Sequence, residues 1–254
     1  FYGRHFRGVP EIASFGDFAR APFLEKRHVI ENTPPASAGL LTSRVQRGIY
    51  FASGGSTGQP KYVFYDQKEY DHTCRMLAGA LEAAGLNGED VIANLFIAGN
   101  LWSSWLSVEK AIAYTKSISV PVGSNLPLEN IAGYLEDFKV TAVIGLPSFL
   151  VKLAEYVKAN PERRKLCVKK IFYGGEYAGG EMVKFFKSVF PGVDVRSAGY
   201  ATADAGVVGF QCPVCVKGQH HLFSSSQFIE FVDQDTMVPV KEGGVGELVV
   251  SCLS

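Results

Sequence analysis

The alternation of short apolar runs with longer amphipathic runs constrains the fold of this chain more than any other feature. Apolar runs of strand length occupy residues 91–96, 118–122, 142–145, 168–173 and 193–197. Helical spacing fills the intervals, over residues 102–113, 128–138, 148–159 and 180–190, and precedes them over residues 66–84. Strands joined by helices of this kind form right-handed parallel β-α-β units. The pattern predicts an α/β fold, a mostly parallel sheet with flanking helices, and Ser148 is the expected N-cap of one helix.

Composition and the spacing of strand and helix patterns divide the chain into three expected regions. Residues 1–48 are rich in proline and predict a helical N-terminal segment packed on the core, and residues 49–205 form that α/β core. Residues 206–254 contain closely spaced strand patterns and predict the start of an antiparallel β subdomain. Because the chain opens at Phe1 without a methionine and stops directly after a strand pattern, we expect it to be part of a longer protein.

Composition excludes several classes of partner. Formal net charge is zero and the pI is about 7.1, so no basic surface for nucleic acid is expected. No apolar run approaches the ~20 residues of a membrane-spanning helix, which predicts a soluble protein with no membrane contact. The five cysteines are an odd and sparse set, which fits a reducing compartment, and the cytoplasm is the expected location.

The segment FASGGSTGQPKYVFYD, residues 51–66, contains the densest glycine-rich loop of the chain. By itself such a loop is a turn, but here hydroxyl side chains stand among the glycines and Lys61 follows closely. Successive backbone N–H groups in such a loop form a concavity that binds anions. A P-loop needs Gly-Lys-Ser/Thr opening a helix, whereas here a strand follows. We therefore predict a nucleotide-phosphate loop of another kind, with ligands from Ser53, Gly54, Gly55, Ser56, Thr57, Gly58 and Lys61.

The run SGGSTGQPK, residues 53–61, resembles the phosphate-loop signature of the adenylate-forming superfamily, which includes acyl-CoA synthetases, adenylation domains and luciferases. Within that superfamily the chain is most similar to phenylacetate–CoA ligases, over nearly its whole length. Phe1-Tyr2, the stretch FARAPF at residues 18–23 and the GLPS segment at residues 145–148 match patterns of that family.

Two further motifs resemble nucleotide-binding segments of the family. The YGGE segment, residues 173–176, is similar to the one that lies against adenine, which implies contacts from Gly174, Gly175 and Glu176. The YATAD segment, residues 200–204, stands where the family has Tyr-Gly-x-Thr/Ala-Glu. The resemblance implies nucleotide contacts from Tyr200, Ala201 and Thr202, and a Mg²⁺-binding carboxylate at Asp204. Asp204 is one methylene shorter than the family's Glu, and Ala203 lacks the hydroxyl that many members have.

The resemblance implies a two-step reaction with Lys61 and Asp204 as catalytic residues. ATP and a carboxylic acid would give an acyl-adenylate and pyrophosphate, and coenzyme A would then accept the acyl group. An adenylating enzyme with another acyl acceptor and a catalytically weakened nucleotide-binding protein stay open as alternatives. The family's C-terminal lid domain, with its catalytic lysine, lies outside these 254 residues. The oligomeric state is also open, with a homodimer among the options.

Aromatic side chains follow the predicted strand 91–96 and suggest where the acid would bind. Ligands of open α/β sheets bind at the carboxyl ends of strands, and aromatic linings suit an aryl or arylacetic acid. The candidates are Phe96, Trp102, Trp105 and Tyr173. The alternative is that these residues are ordinary core. His72 and Glu109 are expected to be helix-face residues with local partners.

Cysteine and histidine residues cluster late in the sequence. The candidate ligands are Cys212, Cys215, His220, His221 and Cys252. Thiolate and imidazole suit tetrahedral Zn²⁺, and a metal held by such residues would be structural. Unligated buried cysteines beside a Gly-x-His turn are the open alternative. A thioredoxin-like redox role is weaker, because this Cys-x-x-Cys does not open a helix.

Overall fold

The computed structural model describes residues 3, 13–18, 21–42, 47–53 and 60–253. Its helices are α1 Phe15–Phe18, α2 Lys26–Asn32, α3 Gln67–Ala83, α4 Ser103–Ile112, α5 Leu128–Asp137, α6 Pro147–Ala159 and α7 Gly180–Val189, with a 3₁₀ turn at Pro161–Lys165. Its strands are β1 Gly48–Ala52, β2 Tyr62–Asp66, β3 Val91–Asn94, β4 Ile118–Val120, β5 Ala142–Gly145, β6 Lys170–Tyr173, β7 Asp194–Ser197, β8 Tyr200–Thr202, β9 Gly206–Phe210, β10 His221–Leu222, β11 Gln227–Val232 and β12 Glu247–Cys252.

A five-stranded parallel sheet forms the centre, in the order β4-β3-β5-β6-β7. Every neighbouring pair in it is parallel, with Ile92 opposite Ala142 and Val143 opposite Ile171 in the register. This arrangement confirms the predicted α/β fold with its mostly parallel sheet. Each strand except the last is followed by a helical connection, which is what parallel pairing requires.

Both faces of the sheet are covered, and the strands alternate between two hydrophobic clusters. Ala93, Val143 and Ile171 pack on one face with side chains of α5, α6 and α7. Ile92 and Phe172 point to the other face, against α3 and α4. Burial on both faces explains why these strands appear in the sequence as continuous apolar runs.

Helix ends are defined by specific capping contacts. The Asp66 carboxylate accepts hydrogen bonds from two backbone amides of the first turn of α3, and Glu69 returns the contact in a capping box. The prediction that Ser148 caps α6 is wrong. The helix begins at Pro147 with Leu146 as N-cap, because the fixed φ of proline suits the first helical position. Ser148 instead donates from its backbone and hydroxyl to the Glu176 carboxylate.

Three small antiparallel sheets accompany the central sheet. They are the pair β1-β2, the three strands β10-β9-β8 and the pair β11-β12. The last two contain the predicted strand patterns after residue 206, while β8 and β10, of three and two residues, were too short to produce a pattern. None of the helices that the structure describes has the length and apolar character needed to cross a membrane.

Candidate active site

The candidate site lies at the carboxyl edge of the central sheet. Backbone hydrogen bonds continue past the strand ends, from Leu95 N–H to the Ile144 carbonyl and from Ala198 N–H to the Tyr173 carbonyl. The segments that leave β3, β5, β6 and β7 therefore start close together. This edge is where open α/β sheets bind their ligands.

Lys61 and Asp204 meet in a direct ion pair, although 143 positions separate them in the sequence. The distance from Lys61 Nζ to Asp204 Oδ2 is 2.6 Å, and the two side chains are 18% and 36% exposed. Lys61 stands immediately before β2, and Asp204 lies in the turn between β8 and β9. The fold thus joins the end of the glycine-rich loop to the YATAD segment.

The Asp204 carboxyl is held ionised by its neighbours. Burial opposes its ionisation, but the hydrogen bond from Lys61 and the Lys61 charge outweigh burial, so its pKa lies below the ordinary aspartate value. Thr202 contributes a further hydrogen bond in the same direction. A carboxylate that stays ionised beside an ammonium group has the charge needed for a divalent cation.

The turn that carries Asp204 is fixed by residues that sequence reasoning missed. Tyr65 Oη donates to the Ala203 carbonyl at 2.9 Å, and burial is the main reason why the Tyr65 pKa is raised. Gln227 Nε2 donates to the carbonyls of Ala205 and Val207. Tyr65 and Gln227 are distant in sequence from the turn. The only feature that could have indicated them is a polar group within a strand pattern.

Gly206 is required by the same turn. Its φ is +67°, and a Cβ added there would lie 2.2 Å from Thr73 Oγ1. Glycine adopts this left-handed conformation without steric cost. The absence of a side chain therefore lets the Asp204 turn pack directly on α3.

The two ends of the glycine-rich loop are held together. Ser53 N–H donates to the Lys61 carbonyl at 2.8 Å, and Lys61 N–H donates to Ser53 Oγ at 2.9 Å. Ala52 N–H also donates to the Leu101 carbonyl, in the turn ahead of α4. The candidates between these ends, Gly54, Gly55, Ser56, Thr57 and Gly58, lie outside the described residues. The described residues form a closed loop base that presents Lys61.

The YGGE segment follows β6 along the same edge. Gly174 faces the Phe96 ring, because a Cβ added at Gly174 would lie 3.5 Å from Phe96 Cζ. Gly175 has a φ of +79° and would place a Cβ 2.8 Å from Leu146 Cδ2. Glu176 is exposed and accepts the two Ser148 hydrogen bonds. The two glycines leave the backbone accessible where a flat ring could approach it.

Tyr200, Ala201 and Thr202 are all exposed along β8. Tyr200 is 47% exposed, and its ring contacts the His220 ring, with centroids 6.2 Å apart. Thr202 Oγ1 accepts a hydrogen bond from Ala205 N–H, which fixes the tight turn after the strand. The strand therefore presents an aromatic face beside Asp204.

The four aromatic candidates for the acid pocket differ in exposure. Phe96 and Tyr173 are 4% and 5% exposed and pack in the two core clusters. Trp102 is half-buried and is the N-cap of α4. Trp105 is half-buried too, and its Nε1 is buried without a hydrogen-bond partner. This nitrogen lies close to Gly123, where an added Cβ would be 3.8 Å from it. Trp102 and Trp105 are thus the two candidates with accessible surface.

A polar network lies beneath these aromatics. Asn94, fully buried at the end of β3, donates to Glu109 Oε1 at 2.8 Å and to the Trp105 carbonyl. Ser119 Oγ donates to the other Glu109 oxygen. Glu109 therefore has the local partners that the sequence led us to expect. The network connects β3, β4 and α4 and fixes Trp105 relative to the sheet.

Three of the five predicted metal-binding side chains come together. The ligand atoms of Cys212, Cys215 and His221 all lie within 4.8 Å of one another. The structure does not bring Cys252 to them, since its Sγ lies 3.9 Å from the Ala205 carbonyl, in the Asp204 turn. His220 is also outside the group, and its Nδ1 lies 2.9 Å from the Gly218 carbonyl. Hydrogen bonding, from His221 above all, lowers the pKa of the Cys212 thiol to about 7.

Comparison with known families identifies the architecture. A family model described as "AMP-binding enzyme" matches residues 49–252, which is most of the chain. The chain belongs to the AMP-binding enzyme family. Membership confirms the resemblance to the adenylate-forming superfamily that rested on the SGGSTGQPK run.

Curated relatives of this AMP-binding chain include two phenylacetate–coenzyme A ligases. That of Thermus thermophilus is 26% identical over 242 residues, which cover 94% of this chain and 53% of the relative. That of Pseudomonas putida is 21% identical over 245 residues, which cover 96% of this chain and 55% of the relative. The chain therefore spans about half the length of these relatives.

Solved structures share the fold of this AMP-binding chain. A 2-hydroxyisobutyryl-CoA ligase in complex with 2-HIB-AMP and CoA superposes with a TM-score of 0.83 at 19% identity, over 95% of this chain and 52% of that one. A luciferase-like enzyme from the mealworm Zophobas morio superposes with a TM-score of 0.63 at 19% identity, over 82% of this chain and 48% of that one.

Proposed function

We propose that this chain forms the adenylation site of an acid–thiol ligase. It would bind ATP and a carboxylic acid, and a carboxylate oxygen would attack the α-phosphorus in line. The bond to the β-phosphate oxygen breaks, pyrophosphate leaves with the electron pair, and a mixed acyl–AMP anhydride remains. Coenzyme A would then displace AMP in the full-length protein. Family membership supports the nucleotide chemistry, and the names of the curated relatives support the thiol step.

The observation that carries this proposal is the Lys61–Asp204 pair at the base of the glycine-rich loop. In-line attack needs no nucleophile–base pair from the protein, so positioning and charge neutralisation carry the rate. Lys61 supplies a cation beside the phosphates. Asp204 would hold Mg²⁺, which neutralises phosphate charge when it is bound. Because the two groups neutralise each other before ATP arrives, neither leaves an unpaired charge in a partly buried site.

The adenosine would lie between two surfaces of this chain. Tyr200 offers an exposed ring on β8, and Gly174 and Gly175 leave open backbone after β6. Glu176 would approach the base from the same segment, with its orientation held by Ser148. Aromatic and backbone surfaces of this kind favour a planar base.

We further propose an aryl or arylacetic acid as the substrate. The Trp102 and Trp105 rings are half-buried beside the strand ends, and the Asn94–Glu109 network fixes the helix that carries Trp105. This assignment uses the two aromatic side chains that keep accessible surface.

Acid-dependent exchange of radiolabelled pyrophosphate into ATP tests the proposal. The full-length protein is assayed with Mg²⁺ and a panel of arylacetic, benzoic and short aliphatic acids. We expect kcat/KM for the best aryl acid to exceed that for acetate by about 100-fold or more, given ~1–3 kcal/mol for each apolar group bound. Lys61→Met should abolish most of the exchange. Glu136→Gln is the matched control, because it removes a 2.6 Å ion pair with Arg163 outside the site.

The panel separates the proposal from its alternatives. Exchange with aliphatic acids only would overturn the aryl assignment and leave adenylation intact. Exchange without thioester formation from coenzyme A would identify an enzyme with another acyl acceptor. ATP binding with no exchange for any acid would overturn adenylation and indicate a nucleotide-binding protein that has lost turnover.

A further inference from the structure

Cys212, Cys215 and His221 form a compact group that adenylation does not use. Cys212 Sγ lies 3.7 Å from Cys215 Sγ and 3.1 Å from His221 Nε2. Both cysteines are half-buried and His221 is exposed. No other such group of His, Cys, Asp and Glu occurs in the part of the chain that the structure describes.

The distances fit the edges of a tetrahedral zinc site. With Zn–S near 2.3 Å and Zn–N near 2.1 Å, tetrahedral geometry gives an S···S edge of about 3.8 Å and an S···N edge of about 3.6 Å. The observed S···S distance matches the first value. The observed S···N distance is shorter by a few tenths of an ångström, which a small movement of the exposed His221 ring would supply.

The loop that carries the cysteines is fixed by its own hydrogen bonds. Cys215 N–H donates to the Cys212 carbonyl, and Cys212 N–H donates to Cys215 Sγ at 3.4 Å. Amides directed at sulfur stabilise thiolates and orient them, as the surroundings of metal ligands do.

Buried Gln211 holds the same loop from inside. Its Nε2 donates to the carbonyls of Lys217 and Gln219, and its Oε1 accepts from Ser197 N–H on β7. Arg196 on β7 also donates to the Cys212 carbonyl. The loop is therefore connected to the central sheet independently of any ligand, and both cysteines are positioned in advance.

We propose that Cys212, Cys215 and His221 bind one Zn²⁺, with water in the fourth position, and that the ion fixes the loop between β9 and β10. Binding displaces the two thiol protons to solvent and leaves the metal on two thiolates and a neutral imidazole. β9 pairs with β8, which carries Tyr200, and Tyr200 contacts His220, next to a zinc ligand. The ion would thus support the aromatic face of the nucleotide site without touching substrate. This proposal is independent of adenylation.

Zinc content of the full-length protein, purified without added metal and dialysed, is the direct test. Inductively coupled plasma mass spectrometry should give one zinc per chain in the wild type. Cys212→Ser, Cys215→Ser and His221→Gln should each lose most of it. Cys167→Ser is the matched control, because Cys167 is an exposed free cysteine outside the group. Cys252→Ser and His220→Gln should keep the full zinc content, because both side chains lie outside the Cys212–Cys215–His221 group.

Cobalt substitution provides a readout that does not depend on the folding of a variant. Co²⁺ added to chelator-treated wild type should give thiolate-to-cobalt charge-transfer absorption and the intense d–d bands of tetrahedral coordination. Zinc should displace both signals at one equivalent. Absence of zinc together with absence of the cobalt signal would overturn the proposal. A proteolytic peptide containing Cys212 and Cys215 whose mass is two hydrogens below the reduced value, and returns to that value on reduction, would identify a disulfide between them. That result would also overturn the proposal. Loss of zinc in Cys252→Ser would overturn the ligand set.

Discussion

Removing the Lys61–Asp204 pair should affect catalysis far more than stability. The perturbation is a double-mutant cycle of Lys61→Met, Asp204→Asn and the combined variant. Both substitutions preserve the approximate length of the side chain and remove its charge. The cycle separates the effect of each charge from the interaction energy between the two charges.

The structure sets the size of each effect. The pair joins side chains that are 18% and 36% exposed, so solvent screening limits its contribution to the free energy of unfolding to about 0.5–1 kcal/mol. In a protein of this size that lowers Tm by roughly 1–4 °C. In the reaction that we propose, the same groups would face developing phosphate charge, where loss of one such interaction costs about 100- to 1,000-fold in kcat. Catalysis should therefore fall by far more than the ion pair alone is worth.

Pyrophosphate exchange and thermal unfolding of the same preparations provide the assay. We expect each single variant to lose exchange by about two to three orders of magnitude, while Tm falls by no more than about 4 °C. Because we propose that Lys61 acts on the phosphates directly and Asp204 through Mg²⁺, the double variant should be slower than either single one. Exchange within a few-fold of the wild type in Asp204→Asn would refute the metal-binding role of that carboxylate. An equal loss in Glu136→Gln would show that the effect is not specific to the site.

Three further predictions concern the elements that hold the site. Because Lys61 keeps the Asp204 pKa below its ordinary value, the stabilisation that Asp204 contributes is complete above the ordinary aspartate pKa. It is lost as the pH falls through the lower, folded-state pKa, so wild type and Asp204→Asn should converge in free energy of unfolding in acid. Gly206→Ala should destabilise the protein by about 1–3 kcal/mol, because an alanine at positive φ is strained and its Cβ would meet Thr73. Asn94→Ala should cost about 1–3 kcal/mol by leaving buried partners without hydrogen bonds, and it should raise KM for the acid.

Urea denaturation measures the change in the free energy of unfolding for Asp204→Asn, Gly206→Ala and Asn94→Ala. Gly133→Ala is the control for Gly206→Ala, because Gly133 lies within α5 with open space around it. That substitution should stabilise by about 0.5–1 kcal/mol. A Gly206→Ala variant with the free energy of unfolding of the wild type would contradict the packing of the Asp204 turn on α3. A pH-independent difference between wild type and Asp204→Asn would contradict the depressed pKa, and an unchanged KM in Asn94→Ala would contradict the support of Trp105.

The layered architecture is encoded in local sequence patterns. Burial on both faces of a parallel sheet requires continuous apolar strands, so the run at residues 142–145 is recognisable as a strand from its composition alone. The helix boundaries were predicted to within a few residues, because caps such as Asp66 depend on hydrogen bonds to nearby residues. The Ser148 prediction was wrong for the opposite reason. Its hydrogen-bond partner, Glu176, is 28 residues away and is brought near only by the neighbouring strand.

Long-range packing, in contrast, sets which distant side chains act together. The glycine-rich loop predicted a role for Lys61, and the family resemblance of the YATAD segment implied one for Asp204. Only the packing of β2 against the β8–β9 turn places the two side chains 2.6 Å apart. Local spacing likewise predicted the Cys212–Cys215 pair, whereas the exclusion of Cys252 depends on where β12 ends. Helices and turns are encoded locally because their hydrogen bonds are short-range, and the strands because burial of both faces requires an apolar run. Ion pairs and ligand sets form across loops, so they depend on tertiary contacts that a single sequence does not display.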